Sequence, residues 1–369
     1  MLRVLHVIGA MDRGGAETMI MNFYRAIDRT KVQFDFLVHE QRECDYDAEI
    51  EALGGKIYRL PRFTGVNYFA YRKECRSFFA AHDEHPVVHG HIGSCAAIYL
   101  AEAKRAGRYA IAHSHAQSYE VGLSGVLFKI AVYPTRSVAD YFLGCSYEAG
   151  VDRFGSGIAR GDRFTVLKNG IDLSLYSFDQ DVRHAVRDEF GIAYDVPVFG
   201  HVGRLTEVKN HEFLLESFAR VKEVLPDAKL LLMGRGELEE AIRDDVTNRG
   251  LEESVRLLGV REDVPRVLMA LDAFVFPSRK EGLAIAVVEA QASGLPCVVS
   301  TGVPDEAIVS DLVSHVDLLD GAARWADEVV LQYERGKDVD RTRATDAVRS
   351  SGFDIAEGAR WLQDFYLSR

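Results

Sequence analysis

The chain predicts an α/β protein with two parallel-sheet halves, and three observations carry that expectation. Short β-branched runs alternate with amphipathic helical stretches along nearly the whole length. The apolar runs are continuous and do not alternate with polar residues, as in strands covered by helices on both faces. The series then restarts near the middle, after RFTVLKNGIDLSLYSFD, which carries an Asn-Gly turn and no strong helical period.

In the first half, LRVLHVI precedes AETMIMNFYRAI, VQFDFLV precedes DAEIEAL, and KIYRL precedes YFAYRKECRSFFAAH. PVVHGH, YAIAH and DYFLGCS continue the strand series. The second half runs VPVFGHVG, HEFLLESFARVKEV, AKLLLMG, ELEEAIRDDV, SVRLLG, VPRVLMA, DAFVFPS, AIAVVEAQAS and PCVVS. The halves meet near residues 170–178, and a cleft at the carboxyl ends of their strands is the expected ligand site. The last stretch, FDIAEGARWLQDFYLSR, reads as a helix with Ile355, Ala359, Leu362 and Phe365 on one face.

Composition narrows the function classes. Of 369 residues 47% are hydrophobic, enough for a large core, and the length favours two domains. Forty-four Lys and Arg against 56 Asp and Glu leave a charge of −12, without a long basic block, so no nucleic acid partner is expected. The N-terminus has a short apolar run and no small-residue cleavage site, so it reads as a strand and not a signal peptide. No apolar run reaches the roughly 18–20 residues of a membrane helix. Five widely spaced cysteines, without C-x-x-C, suit free buried thiols in a reducing cytosol.

Four groups of residues could carry chemistry. In GAMDRGGAE, Gly14 and Gly15 lie between the first strand and a helix, where backbone N–H groups can approach an anion. The loop is neither G-x-G-x-x-G nor a P-loop, which disfavours a dehydrogenase and leaves a bare turn as the alternative. In HVGRLTEVKN, Gly203 and Arg204 follow a strand and Lys209 opens a helix. A guanidinium that grips two oxygens and an ammonium point charge suit a diphosphate, although a solvated loop has the same composition.

In SRKEGLAIAVVEAQASG, Glu281 falls in a loop and Glu289 inside the next helix. A loop carboxylate beside the amides of Gly282 and Leu283 can bind sugar hydroxyls, and Glu289 can reach a ribose; the alternative is one Glu near the helix dipole and one in a salt bridge. His113 and His115 follow a strand at its ligand-facing end, as a substrate contact or as satisfied core histidines. The spacing of His82, His85, His89 and His91 fits no standard zinc pattern, so no metal site is expected. Asp45–Asp47 reads as a helix cap.

Taken in order, GGAE, HGH, IAHSHA, GCSYEAGVDRFG, VLKNGID, HVGRLTEVKNHEFLLESF, LLLMGRGEL, FPSRKEGLAIAVVEAQASGLPCVVS and FDI resemble glycosyltransferase family 4. These are retaining GT-B enzymes, and the likeness is greatest to bacterial capsule and exopolysaccharide members. The resemblance implies an N-terminal acceptor-binding Rossmann-like domain (1–174), a C-terminal nucleotide-sugar domain (175–352) and a terminal helix (353–369) crossing back to the first. Its Glu-x7-Glu signature falls on Glu281, for the donor sugar, and Glu289, for the ribose. Arg204 and Lys209 match the basic pair on the diphosphate, Gly15 the glycine loop, and His115 the cleft histidine, with His113 in reserve. The family commonly has proline where this chain has Ala284.

The resemblance further implies transfer from a nucleoside diphosphate sugar, most plainly a UDP-sugar, to a glycan or lipid-linked hydroxyl. Retention by same-face attack needs no metal or cofactor. Such a chain is expected in the cytoplasm, peripherally at the inner membrane face, with GVNYFAYRKECRSFF as a candidate contact or an ordinary amphipathic helix. Rival readings are a GT-B epimerase or phosphorylase, and a non-catalytic nucleotide-sugar-binding subunit.

Overall fold

The computed structural model describes residues 1–115 and 130–369. The chain divides into two compact units, Met1–Ile171 with Gly352–Arg369, and Asp172–Ser351. Each is built on one parallel sheet. In the first unit the strands are β1 (Leu2–Ile8), β2 (Val32–Val38), β3 (Ile57–Arg59), β4 (Val87–Gly90), β5 (Tyr109–Ser114), β6 (Tyr141–Gly144) and β7 (Phe164–Val166), in the order β3-β2-β1-β4-β5-β6-β7. In the second they are β8 (Val198–Val202), β9 (Lys229–Met233), β10 (Val255–Gly259), β11 (Ala273–Phe276), β12 (Cys297–Ser300) and β13 (Val313–Val316), in the order β10-β9-β8-β11-β12-β13.

Both sheets reverse direction beside their first strand. Right-handed crossovers then place helices on opposite faces to either side of that point, which leaves a crevice at the carboxyl ends of β1 and β4, and of β8 and β11. Continuous apolar strands follow from covering both faces. In the first unit Val4, Phe34, Val87 and Ile111 pack under helices Gly15–Ala26 and Ile355–Leu367. Leu5, Leu37, Val88 and Phe142 belong to the opposite face, under Tyr68–Ala81 and Ala96–Arg105.

The terminal helix thus belongs to the first unit. Ile355, Ala359, Leu362 and Phe365 are buried, as their spacing predicts, and Tyr366 joins them. The Asp354 carboxylate accepts from the Ala356 amide at 2.9 Å, and Ile171 exchanges backbone bonds with Phe353 and Ile355 (2.8 and 3.0 Å). This crossing explains the Asn-Gly turn: a Cβ on Gly170 would lie 2.8 Å from Ile355 Cα.

One local expectation comes out differently. The N-cap of helix Asp47–Ala52 is Tyr46, without a side-chain bond. Asp47 instead accepts from the Cys44 amide and pairs with Arg59, so its carboxylate is already engaged away from the helix amides. His82 and His85 stand apart from the other histidines: His85 bonds Asp35, and His82 bonds Glu84. All five cysteines are buried and unbonded to one another.

Asp35, fully buried on β2, anchors the base of the first sheet. It accepts from Arg3 (Nε, 2.6 Å), the Lys56 amide (2.7 Å) and His85 (2.8 Å). Burial pushes its pKa upward, but His85, Arg3 and the Lys56 amide outweigh that and bring it to about 2. Asp35→Asn should lower urea-unfolding stability by on the order of 3 kcal/mol at neutral pH, because it leaves buried donors facing a weaker acceptor. A depressed carboxylate stabilises fully above its unfolded pKa of about 4 and loses that contribution as pH falls toward 2, so the wild-type advantage should vanish over that range.

Candidate functional site

The second unit gathers six of the sequence-predicted residues around its strand-order reversal. β8 ends at Val202, and the next loop runs beside the loop after β9, with Gly203 N–H donating to Met233 (2.9 Å) and Leu205 N–H to Arg235 (3.0 Å). The approach depends on Gly234: its φ is +138°, and a Cβ there would lie 2.0 Å from the Gly203 oxygen. This positions Arg204, whose exposed guanidinium has no side-chain partner among the described residues.

Lys209 closes the short turn Glu207–Lys209, held by Asn210 in a left-handed conformation with its side-chain amide on the Pro277 oxygen (3.2 Å). Its ammonium reaches Glu281 Oε1 at 2.7 Å and lies 4.6 Å from the centre of the Phe276 ring. Two residues read separately from the sequence therefore form one ion pair. The Ser278 hydroxyl donates to the same carboxylate oxygen.

The Glu281 loop is fixed by backbone. Glu281 N–H donates to Gly302 at 3.0 Å, and a Cβ on Gly302 would lie 2.4 Å from the Arg279 oxygen. The next two amides, of Gly282 and Leu283, have no acceptor among the described residues. Ala284 then takes φ +56°, ψ +56° and opens helix Ile285–Ala292. Proline cannot adopt that φ, so this loop is built differently from one carrying the family's proline. The strained alanine sits beside the free amides.

Glu289 does not touch Glu281's partners. Its carboxylate accepts from Tyr176 Oη at 2.7 Å. Burial pushes its pKa up to about 7, with the Tyr176 bond opposing. Sequence reasoning missed Tyr176, Ser278, Gly234 and Gly302. The glycines carried a signal, since each lies within two residues of the end of an apolar strand; Tyr176 carried none.

In the first unit Gly14 and Gly15 begin helix Gly15–Ala26. The Gly14 amide is already committed to the Asp12 carbonyl (2.8 Å), which corrects the expectation of two free amides; Gly15 keeps its N–H. The Glu17 carboxylate folds over Gly14, and burial raises its pKa. His113 is 5% exposed and bonds His89 at 3.1 Å, whereas His115 is partly exposed and bonds His91 at 2.7 Å. Burial, with a smaller contribution from Arg153, holds the His115 pKa down to about 3, so the ring is neutral.

Two variants test this construction. A raised carboxylate keeps its proton in the folded state while the unfolded chain ionises, so stability is lost between pH about 4.5 and about 7 and is constant above; Glu289→Gln should therefore gain on wild type over that range and level off beyond pH 7. The rise from the ordinary 4.5 to about 7 corresponds to on the order of 3 kcal/mol, read from urea unfolding. Gly302→Ala must displace the Glu281 loop, and is expected to weaken nucleotide binding by at least ~10-fold in calorimetry while changing Tm by only a few degrees.

Residues 196–330 match the family model described as "Glycosyl transferases group 1". Over 99% of its length the chain is 33% identical to EpsF of Bacillus subtilis (strain 168), a protein named as a glycosyltransferase, and covers 96% of it. A 141-residue segment, 37% of this chain and 36% of that protein, is 35% identical to the UDP-Gal:alpha-D-GlcNAc-diphosphoundecaprenol alpha-1,3-galactosyltransferase of Escherichia coli. Among solved structures, Anabaena Alr3699/HepE in complex with UDP superposes with a TM-score of 0.82 at 18% identity, covering all of both chains. WaaG, a glycosyltransferase involved in lipopolysaccharide biosynthesis, gives 0.74 at 14% identity over 98% of this chain and 99% of its own. With two parallel-sheet units and a full-length relative of this identity, the chain belongs to the group 1 glycosyltransferases and has the GT-B fold.

Proposed function

We propose that this glycosyltransferase takes its sugar from a nucleoside diphosphate donor, a UDP-sugar, and passes it with retention to a hydroxyl of a glycan or lipid-linked acceptor in surface-polysaccharide assembly. One observation carries the reading. Around the β8–β11 crevice, an unpartnered guanidinium (Arg204) and the Lys209–Glu281 pair stand with the open amides of Gly282 and Leu283. The E. coli relative, named for a UDP-galactose donor and a diphosphoundecaprenol acceptor, and the UDP complex of HepE support the choice of UDP.

In this scheme the donor diphosphate draws the Lys209 ammonium away from Glu281. The freed carboxylate then accepts from sugar hydroxyls, and Glu289 accepts from the ribose. As the anomeric C–O bond breaks, its electron pair departs with the diphosphate and positive charge spreads over the ring. Arg204 and Lys209 neutralise the departing charge, and Gly203, Gly282 and Leu283 let backbone come close to the donor. The acceptor oxygen attacks from the face the diphosphate leaves, and its proton passes to the departing phosphate oxygen. No carboxylate nucleophile is needed, and the two cations supply the counter-charge, so the scheme requires no metal or cofactor. His115, neutral, and behind it His113, contribute imidazole contacts, and Gly15 one amide.

The acceptor's lipid would bring the chain to the inner face of the cytoplasmic membrane as a peripheral protein. Helix Tyr68–Ala81 buries Tyr71, Cys75, Phe78 and Phe79 in the core, leaving its exposed Phe69 (82%) and Lys73, with Val66 (95% exposed) just before it, as the contact. No helix among the described residues is long and apolar enough to cross a membrane.

A thermal-shift panel of UDP, GDP, ADP and their sugars should raise Tm for the uridine series, since ligand stabilises in proportion to affinity. With the donor so found, Lys209→Ala should lower turnover by ~100-fold or more, the scale for one lost charge-stabilising contact. Unchanged turnover would refute the assignment. Donor consumption without acceptor would point to an epimerase, and dependence on inorganic phosphate to a phosphorylase.

A further inference from the structure

Five histidines converge on one face of the first sheet. The parallel register places His6 on β1 beside His89 on β4, and sets Gly90 opposite Ala112, so that His91 falls beside His113. Side chains two apart share a face, which brings in His115 one step further along. The rings of His91, His113 and His115 form a triangle with centroid separations of 4.1 Å (113–115), 4.9 Å (91–115) and 5.5 Å (91–113). No carboxylate hydrogen-bonds any of the five among the described residues.

We propose that His91, His113 and His115 bind one divalent transition-metal ion of the zinc class, each through one ring nitrogen, with the fourth position open to water. A nitrogen of each lies within 4.8 Å of the other two. Neutral imidazole is the preferred ligand for such ions. Three further observations distinguish the triangle from a chance crowd of rings.

First, two of the three outward nitrogens are already held, those of His91 and His113, while His115 Nδ1 has no hydrogen-bond partner among the described residues. His6 Nδ1 meets His91 Nε2 at 3.0 Å, His89 Nε2 meets His113 Nδ1 at 3.1 Å, and Tyr366 Oη meets His89 Nδ1 at 2.5 Å. Metal-binding histidines are generally oriented by such a bond on the opposite nitrogen. Second, His113 Nε2 is buried without a partner among the described residues, a cost that coordination would remove. Third, His91 and His115 remain partly exposed and give an ion a way in. The alternative triple, His6, His89 and His91, has two members at 1% exposure and lacks that path.

Coordination requires ring movement, since nitrogens now within 4.8 Å of one another must settle at one common spacing. Nitrogens ~2.05 Å from a tetrahedral ion are ~3.3 Å apart. The 2.7 Å contact between His91 Nδ1 and His115 Nε2 must open by ~0.6 Å, within reach of a ring rotation at a strand end. The ion is not required for transfer as proposed above. Seated here, it would occupy the lone pair of His115.

Chelator-stripped, dialysed chain without a polyhistidine tag is titrated with CoCl2 alone and followed by visible absorption. One Co²⁺ per chain is expected, with the intense d–d bands of a tetrahedral nitrogen-ligated ion, displaced by ZnCl2. His115→Ala, at a partly exposed strand end and so compatible with folding, should weaken binding at least ~100-fold. His6→Phe, which removes only a supporting bond, should weaken it ~10-fold or more. His82→Ala, outside the cluster, should bind as wild type. Absence of the bands in wild type, or wild-type affinity in His115→Ala with an unchanged melting curve, would overturn the site. Because the readout is spectral, its failure leaves the donor assignment standing and is separable from it.

Discussion

The chemistry of this chain depends on the point where each sheet changes winding direction. A parallel strand must be followed by a crossover, and a right-handed crossover fixes which face its helix covers. When strand order reverses beside β1 or β8, the neighbouring helices lie on opposite faces, and the strand ends between them are left uncovered. Lys209 follows β8 and Glu281 follows β11, the two strands flanking that gap in the second sheet. His6 and His89 flank the equivalent gap in the first. One topological rule, applied twice, produces two reactive edges.

The edges are furnished oppositely. In the second unit the charges are retained: the Lys209 and Glu281 side chains are 18% and 11% exposed, sheltered enough for their pair to exceed the ~0–1 kcal/mol of a surface ion pair. Arg204 adds a cation without a carboxylate, so the edge is poised for an anion. Glu289, a short distance into the helix, sits near the middle of its titration at neutral pH, because burial disfavours its charge more than Tyr176 supports it. In the first unit, burial keeps the five imidazoles neutral, and each hydrogen bond between rings offers one nitrogen's proton to another's lone pair. An edge of lone pairs attracts cations where the other attracts phosphates.

Close backbone approach is the second recurring device. Gly203 against Gly234, Gly302 against Arg279 and Gly170 against Ile355 each bring two segments within a distance that no Cβ permits. These contacts hold the loops of Arg204 and Glu281 and tie the terminal helix to the first sheet. Side chains do the chemistry, but main chain sets their positions.

Much of this was legible in the residues themselves. Continuous apolar runs and period-3.6 patterning gave the strand–helix alternation, the restart near residues 170–178 and the buried face of the last helix, because those signals depend only on neighbours in sequence. The ordered motifs carried Arg204, Lys209, Glu281 and Glu289, whose spacing reflects one loop or one helix. What the amino-acid order could not express is which distant loops touch. The pairing of Lys209 with Glu281, 72 residues apart, the Tyr176 bond to Glu289, and the commitment of the Gly14 amide to Asp12 follow from packing. The histidines show the limit most plainly: in sequence His82, His85, His89 and His91 look like the group, yet parallel register sends His85 to Asp35 and joins His89 and His91 to His6, His113 and His115. Sequence determined the elements and the loop-borne charges, since those are local; tertiary structure alone decided the partners, since a parallel sheet sets side by side residues that the chain holds dozens of positions apart.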